Sequence, residues 1–91
     1  MYLLITYDIS NNKNRNKIDK LLSSYGYRVN FSVFELEVKQ HIYTKIVGKL
    51  LPFMERHDSI RVYKLDKNSA SAAIELNSKL PTPFHKDDSY V

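Results

Sequence analysis

An apolar stretch near the N-terminus, residues 2–8, constrains the fold more than any other part of the chain. Both of its alternating faces are apolar for most of their length, with Leu3, Ile5 and Tyr7 on one side and Tyr2, Leu4 and Thr6 on the other. A half-exposed strand alternates apolar and polar residues, whereas a strand at the centre of a covered sheet is apolar on both faces. We therefore predict a central strand over residues 2–8 that ends at Asp8.

The rest of the chain alternates between the hydrophobic periodicities of helices and strands. Apolar residues recur at intervals of three and four over 12–25 and over 40–51, which predicts two amphipathic helices. Residues 27–38 and 59–65 are strand-like, with apolar and polar positions in alternation. Asn30 interrupts the first of these stretches, which therefore forms two short strands or one bent ribbon.

The C-terminal third has weaker patterns. Gly26, which follows the first helix, is the kind of residue that ends a helix in a left-handed conformation. Small and polar residues over 68–72 predict a loop, and residues 73–76 predict a short extra strand. We expect a single domain over 1–78 and a tail over 79–91 that is loose or bound to a partner.

Two β-α-β halves in this order define an α+β class: a ferredoxin-like βαββαβ sandwich with an extra C-terminal strand. Such a fold places both helices on one face of an antiparallel sheet. The other face, which carries Tyr2, Leu4 and Thr6, receives no cover from its own chain. Because a bare apolar patch of this kind is more often an interface than a tolerated exposure, we predict a homodimer packed through the sheet faces.

Length and composition exclude several classes of protein. The 91 residues suffice for one domain, and no apolar run approaches the roughly 18 residues that a membrane span needs. There is no cysteine, which excludes disulfides and thiolate metal sites, and there are only two glycines, which excludes glycine-rich phosphate loops. The first residues lack the basic start of a signal peptide. We expect a cytoplasmic protein with no membrane association.

The net charge of +4 makes a polyanion a reasonable partner. Five of the fourteen basic residues fall within a short stretch that contains one acidic residue, Asp19: Lys13, Arg15, Lys17, Lys20 and Arg28. Three of the lysines recur at helical spacing and form one helix face, while Arg15 and Asp19 are spaced to form an ion pair. This face either contacts nucleic-acid phosphates without reading bases or is an ordinary solvated helix surface.

Asp8 is the candidate metal ligand. A carboxylate at the end of a rigid strand is well placed for function, although an aspartate in this position is also a common turn or cap residue. One carboxylate is a poor Mg²⁺ site alone, but Mg²⁺ often takes only one or two carboxylates together with waters and phosphate oxygens. A two-fold dimer can bring a second copy of Asp8 to the same site and so supply the second carboxylate.

Three sequence blocks resemble a known family. They are Leu-Ile-Thr-Tyr-Asp-Ile at 4–9, Arg-Val-Asn-Phe-Ser-Val-Phe-Glu at 28–35 and Asp-Ser-Ile-Arg-Val-Tyr at 58–63. In this order and spacing they are similar to the CRISPR-associated endoribonucleases of the Cas-two (Cas2) family, which take part in spacer acquisition. The resemblance covers about residues 1–65. It implies a ferredoxin-like homodimer whose final strand crosses onto the partner's sheet.

The resemblance also implies an activity and its residues. It implies a metal-dependent nuclease in which Asp8 binds Mg²⁺, or Mn²⁺ as a substitute, and in which Tyr7 and Phe34 belong to the catalytic site. Arg15, Lys17 and Arg28 also match family positions associated with activity, and together with Lys13 of the basic helix face they are the predicted nucleic-acid ligands. Where the family often carries arginine, position 17 is a lysine, which keeps the charge but loses the bidentate fork.

The resemblance leaves more than one function open. The first is hydrolysis of single-stranded RNA, or of double-stranded DNA, in antiviral defence. The second is a non-catalytic role as the dimeric scaffold that joins copies of the Cas-one (Cas1) integrase and binds spacer DNA. The third is a ferredoxin-like ribonuclease toxin resembling VapD, against which the blocks at 28–35 and 58–63 argue.

Overall fold

The computed structural model describes residues 1–85 of the chain. The last part of the expected tail, residues 86–91, lies outside the described residues. In chain order the elements are β1 (Tyr2–Asp8), α1 (Asn12–Ser23), β2 (Gly26–Asn30), β3 (Val33–Glu37), α2 (Gln40–Leu50), β4 (Ser59–Leu65) and α3 (Lys67–Ala72). The short turn of 3₁₀-helix Leu51–Phe53, which contains Pro52, follows α2 directly.

The four strands form one antiparallel sheet in the order β2-β3-β1-β4. β1 is central, as its two apolar faces predict: Leu4, for example, lies between Glu35 of β3 and Tyr63 of β4. The ferredoxin-like α+β fold is therefore confirmed, and of the two arrangements open for 27–38 the structure shows two short strands.

One face of the sheet, which we call the helix-covered face, carries the core. Leu3, Ile5 and Tyr7 of β1 point to this side and are at most 6% exposed. The core is completed by buried residues of the loops, helices and strands around them: Ile9, Ile18, Leu22, Phe34, Leu36, Ile46 and Leu50. The two long helices, α1 and α2, place their buried residues in this core, as the sequence predicts.

α1 begins and ends through local hydrogen bonds. The Asn11 side chain accepts from the backbone N–H of Asn14 at 2.9 Å, which caps the first turn. At the other end the helix stops at Ser23, and Ser24 is its cap, with helical rather than left-handed backbone angles. The predicted helix over 12–25 is therefore two residues too long.

Gly26 has a different role from the one its sequence position predicts. It is the first residue of β2 and does not adopt a positive φ. A Cβ at this position would meet the Glu35 carbonyl oxygen of β3 and would lie 2.7 Å from Leu36 Cγ. The glycine is therefore required by the close approach of two strands and not by a helix cap.

Two expectations for the segment after β4 are corrected. The predicted loop over 68–72 is wrong, because the Asp66 carboxylate accepts from the Ser69 N–H at 2.7 Å and caps helix α3. Residues 73–76, the expected extra strand, form no strand in this single chain. The pairing expected for that strand is with a partner's sheet, which one chain does not supply.

The opposite side of the sheet, which we call the outer face, carries Tyr2, Leu4 and Thr6. The prediction that this face receives no cover from its own chain is wrong in part, because the chain folds back onto one side of it. The ring of Phe84 packs edge-on against Tyr2 with centroids 5.3 Å apart, and the Phe84 N–H donates to Glu35 Oε1 at 2.8 Å. Leu4 and Thr6 remain partly exposed. The domain boundary at residue 78 and the homodimer stay predictions.

Candidate metal and nucleic-acid site

Asp8 ends β1 on the outer face. Strand alternation turns its side chain away from that of Tyr7, and its exposed carboxylate takes part in no hydrogen bond or ion pair within residues 1–85. At this position β1 is paired with Ser59 of β4, while the pairing with β3 has already ended at Thr6. The rigid strand thus presents a free carboxylate at an open corner of the sheet.

This corner fits a hard divalent cation only in part. Among residues 1–85, no three side chains of His, Asp or Glu converge in a way that could hold a metal ion. An exposed, unpaired carboxylate is nevertheless the type of ligand that Mg²⁺ takes when waters and phosphate oxygens supply the remaining positions. The chain therefore provides one protein ligand, and a second must come from another copy or from the substrate.

The loop that follows Asp8 is held in position by hydrogen bonds to the segment before β4. Asp58, just before β4, accepts hydrogen bonds from the Ser10 N–H at 3.0 Å and from the Ser10 hydroxyl at 3.1 Å. It also accepts from the Glu55 N–H at 2.8 Å, and these bonds to the ionised form hold the pKa of the Asp58 carboxyl below its ordinary value, the bond from Glu55 most. No role was predicted for Asp58, although its place before a strand is typical of a carboxylate that accepts from turn N–H groups.

Arg15 also holds this loop. One of its guanidinium nitrogens donates to the Ile9 carbonyl oxygen at 3.1 Å, and another donates to the Asn12 side chain. The expected ion pair between Arg15 and Asp19 does not form. Arg15 therefore joins the first turn of α1 to the residue after Asp8, and its contacts are those of a group that fixes the loop.

Tyr7 and Phe34 lie on the helix-covered face, in the core. Their rings stack with centroids 6.3 Å apart, and they are 6% and 0% exposed. The Tyr7 hydroxyl donates to Asp19 Oδ1. Burial, and after it this hydrogen bond, raises the pKa of Tyr7 to about 12, so the hydroxyl stays protonated at neutral pH. A catalytic role for Tyr7 and Phe34 stays a prediction.

Arg28 completes this cluster. Its guanidinium lies 2.7 Å from Asp19 Oδ2 and 5.4 Å from the centre of the Phe34 ring. The hydrogen bond to Asp19 raises the pKa of Arg28 further above its ordinary value. Sequence reasoning missed this use of Asp19, because the partner is 9 positions away on a strand and helix spacing pointed to Arg15.

The lysines of α1 lie on its exposed side. Lys13 and Lys17 form no ion pair within residues 1–85, and the Lys17 ammonium lies 5.6 Å from the centre of the Phe53 ring. Lys17, Lys20 and Lys49 border a groove of about 670 Å³ between α1 and the end of α2. The four predicted nucleic-acid ligands therefore divide into two lysines with no acidic partner within residues 1–85 and two arginines that already bind other groups of the fold.

A match to a family model shows which family the chain belongs to. The model described as CRISPR associated protein Cas2 matches residues 1–73, and the chain belongs to that family. A relative from Chloroflexus aurantiacus, named CRISPR-associated endoribonuclease Cas2 1, is 39% identical over 93 residues, which cover 100% of this chain and 99% of the relative. The endoribonuclease Cas2 of Mycobacterium tuberculosis is 38% identical over 65 residues, 71% of this chain but 58% of that relative's length.

Solved structures confirm the fold. The chain superposes on Streptococcus pyogenes Cas2, crystallised at pH 6.5, with a TM-score of 0.74 and 34% identity, over 85% of this chain and 100% of that one. A chain of a partial Cas6-RT-Cas1–Cas2 complex matches with a TM-score of 0.63 and 28% identity, over 90% of this chain and 93% of that one. The resemblance found in the sequence blocks is therefore confirmed. None of the helices formed by residues 1–85 has the length and apolar character that crossing a membrane requires.

Proposed function

We propose that the protein is a Mg²⁺-dependent endonuclease that acts as a homodimer and takes part in spacer acquisition with a Cas1 integrase. The observation that carries this proposal is the exposed, unpartnered carboxylate of Asp8 at the end of a rigid strand. Family membership supports it, because relatives that match most of the chain are named endoribonucleases. The proposed substrates are single-stranded RNA and double-stranded DNA, since a water nucleophile does not need the RNA 2′-hydroxyl.

Each part of the corner has a role in this proposal. Asp8 of each protomer holds the divalent ion, which when bound lowers the pKa of a water and offsets phosphate charge. Lys13 and Lys17 contact phosphates of the nucleic acid, without reading bases. Arg15 and Asp58 keep the loop after Asp8 in one position, so that the carboxylate needs little reorganisation to accept the ion.

The dimer is needed to complete the site. A single chain supplies one carboxylate, and the outer face on which Asp8 lies also carries the partly exposed residues Leu4 and Thr6. Packing two outer faces around a two-fold axis buries this surface and can bring both Asp8 side chains towards the axis. Two carboxylates that share a site repel one another until a cation binds between them.

The test compares Mg²⁺-dependent cleavage by the wild type and by Asp8→Asn, with labelled single-stranded RNA and duplex DNA as separate substrates. Asp8→Asn is expected to lose cleavage of both substrates and to keep its fold and its sedimentation coefficient. Chelation of the metal should abolish wild-type cleavage. Equal cleavage by the two proteins would remove Asp8 from the mechanism and indicate a contaminating nuclease.

Glu37→Gln is a matched control for this comparison. Glu37 is an exposed carboxylate at the end of β3, and it pairs with Tyr2 at the opposite end of β1 from Asp8. The substitution removes the same charge from the same sheet but from a distant corner. Its cleavage rate should equal that of the wild type, so a loss in both variants would point to net charge rather than to metal binding.

The scaffold role is a second candidate function. It is favoured by the match to a chain of a partial Cas6-RT-Cas1–Cas2 complex and by the absence, among residues 1–85, of a cluster of side chains that could hold a metal ion. In this role Lys13 and Lys17 bind DNA, and no turnover occurs. Duplex binding and association with a Cas1 integrase, with no cleavage by either the wild type or Asp8→Asn, would favour the scaffold over the nuclease.

A further inference from the structure

Asp19 is the one acidic residue in a strongly basic stretch, and three elements of the fold meet at its side chain. Each of its two oxygens has a separate partner: Oδ1 accepts from the Tyr7 hydroxyl of β1, and Oδ2 pairs with Arg28 of β2. The carboxylate itself belongs to α1. Its contact with Arg28 is the only ion pair that joins two residues of the described range 1–85, although this range includes many exposed charges.

The position of Arg28 shows what this pairing prevents. The guanidinium lies between the Asp19 carboxylate, at 2.7 Å, and the Phe34 ring, at 5.4 Å. Its side chain is nevertheless 43% exposed, compared with 23% for Asp19. Arg28 is thus close enough to solvent to reach a phosphate, but one of its guanidinium nitrogens already contacts a carboxylate, which fixes the orientation of the group.

We propose that Asp19 is a positioning residue that sets the strength of nucleic-acid binding, because it holds the Arg28 guanidinium in the fold and away from phosphates. This inference rests on the proposed binding of nucleic acid. Arg28 is then a structural cation, whereas Lys13 and Lys17, which have no acidic partner within residues 1–85, supply the phosphate contacts. The network also locks the Tyr7 side chain, so it fixes the direction of the strand end that carries Asp8.

The salt dependence of binding tests this assignment, since each phosphate contact releases counterions. Log K falls as log salt rises, and each contact adds about 0.9 to the size of this negative slope, which is the quantity compared below. The probe is a fluorescently labelled DNA duplex, with affinity measured between about 50 and 200 mM salt. Lys17→Gln is expected to lower the slope by about one. Asp19→Asn is expected to raise it by about one, because the freed Arg28 gains a phosphate.

Two further variants separate release of Arg28 from a change in net charge. Glu55→Gln removes one negative charge beside α1, where Glu55 accepts from Asn14 and pairs with no cation of residues 1–85, so it should change the slope little. In the double variant Asp19→Asn, Arg28→Gln the added slope should disappear. The amide that Asp19→Asn introduces still offers an oxygen to the Tyr7 hydroxyl, and thermal unfolding verifies that each variant is folded.

The outcomes distinguish this inference from the proposed function. If Arg28→Gln alone lowers the slope as much as Lys17→Gln does, Arg28 already contacts phosphate and the inference is wrong. If Asp19→Asn and Glu55→Gln give the same slope, Asp19 does not keep Arg28 away from phosphates and the inference is wrong. The proposed binding of nucleic acid is not affected by that result. If neither the wild type nor any variant binds duplex, the proposed nucleic-acid binding fails and the inference falls with it.

Discussion

The two faces of the sheet differ in how much of their packing a single chain completes. On the helix-covered face, Leu3, Ile5 and Phe34 are at most 1% exposed. On the outer face Leu4 of the same strand stays partly exposed, and its neighbour Tyr63 is 46% exposed. Because β1 supplies apolar residues to both sides equally, the apolar pattern identifies a central strand but does not tell which of its faces the chain covers.

The same alternation divides the candidate site. Tyr7 and Asp8 are neighbours in the chain, yet Tyr7 is fixed in the core by Asp19 whereas Asp8 is exposed and has no partner within residues 1–85. The helix-covered face therefore holds the groups that position the strand end, and the outer face presents the group that can bind a metal. Changes to the apolar core of the first face should act on stability, and changes to the apolar residues and the carboxylate of the second should act on association and activity.

Leu3 and Leu4 give the most direct comparison, because the same substitution can be made on each face. Leu3→Ala is expected to lower the free energy of unfolding by about 2–5 kcal/mol, since it leaves a cavity in a fully buried core. Leu4→Ala should lower it by about 1 kcal/mol or less. The measurement is urea unfolding at a protein concentration where sedimentation shows a monomer, because dimerisation would add to apparent stability.

Dimerisation should reverse the order of the two leucine variants. Leu4→Ala is expected to raise the dissociation constant of the dimer, because Leu4 lies on the proposed interface. Leu3→Ala should leave that constant near the wild-type value at temperatures where it is folded. Equal effects of both variants on unfolding and on association would contradict the distinction between the faces.

Gly26 and Gly48 form a second matched pair, one at the contact between two strands and one on the surface of α2. Gly26→Ala is expected to lower the free energy of unfolding by about 1–3 kcal/mol, because the new Cβ would meet the β3 backbone. Gly48→Ala should raise it by about 0.5–1 kcal/mol, since nothing lies within 4 Å and alanine favours the helix. Urea unfolding of both variants gives the two signs. A lower free energy of unfolding for Gly48→Ala would show that other atoms already occupy the groove beside this residue.

The pattern of the sequence was sufficient for most of the fold. The bounds of β1 and β4 agree with the predicted 2–8 and 59–65, because strongly alternating or doubly apolar stretches have one stable arrangement in a small sheet. The stretch 68–72 was wrongly predicted as a loop. Its residues bury only Ala70 and show little periodicity, and the cap that starts α3 comes from Asp66, outside the stretch.

The candidate site was less predictable, because its contacts join distant parts of the chain. Asp8 could be selected from its place at a strand end, and the family blocks drew attention to Tyr7 and Arg28. Nothing in local spacing indicates that Asp19 joins these two, since the partners lie 12 and 9 positions away on different strands. The contact of Phe84 with the outer face spans most of the chain and has no sequence signal at all.

That contact allows the cover of the outer face to be measured. Tyr2→Ala, Phe84→Ala and the double variant form a thermodynamic cycle, and the edge-on ring contact should give a coupling free energy of about 0.5–1.5 kcal/mol. Urea unfolding of the four proteins, again at monomer concentrations, supplies the values. Additive effects within error would mean that the chain does not cover Tyr2 in solution and that the outer face is as open as the sequence predicts.

Asp58 gives the smallest expected effect and concerns the loop through which Asp8 is connected to the rest of the fold. The backbone N–H of Glu55, and then that of Ser10, hold the pKa of Asp58 below its ordinary value of 3.8. Since the folded pKa is lowered, the ionised carboxylate stabilises the fold above pH 3.8, and this stabilisation is lost as the pH falls below that value towards the folded pKa. Asp58→Asn should therefore be less stable than the wild type at neutral pH, and urea midpoints of the two should converge in acid.

Ser10→Ala, which removes only the hydroxyl donor, should give a smaller difference at neutral pH. A difference between Asp58→Asn and the wild type that stays constant with pH would show that the charge of Asp58 does not hold the loop.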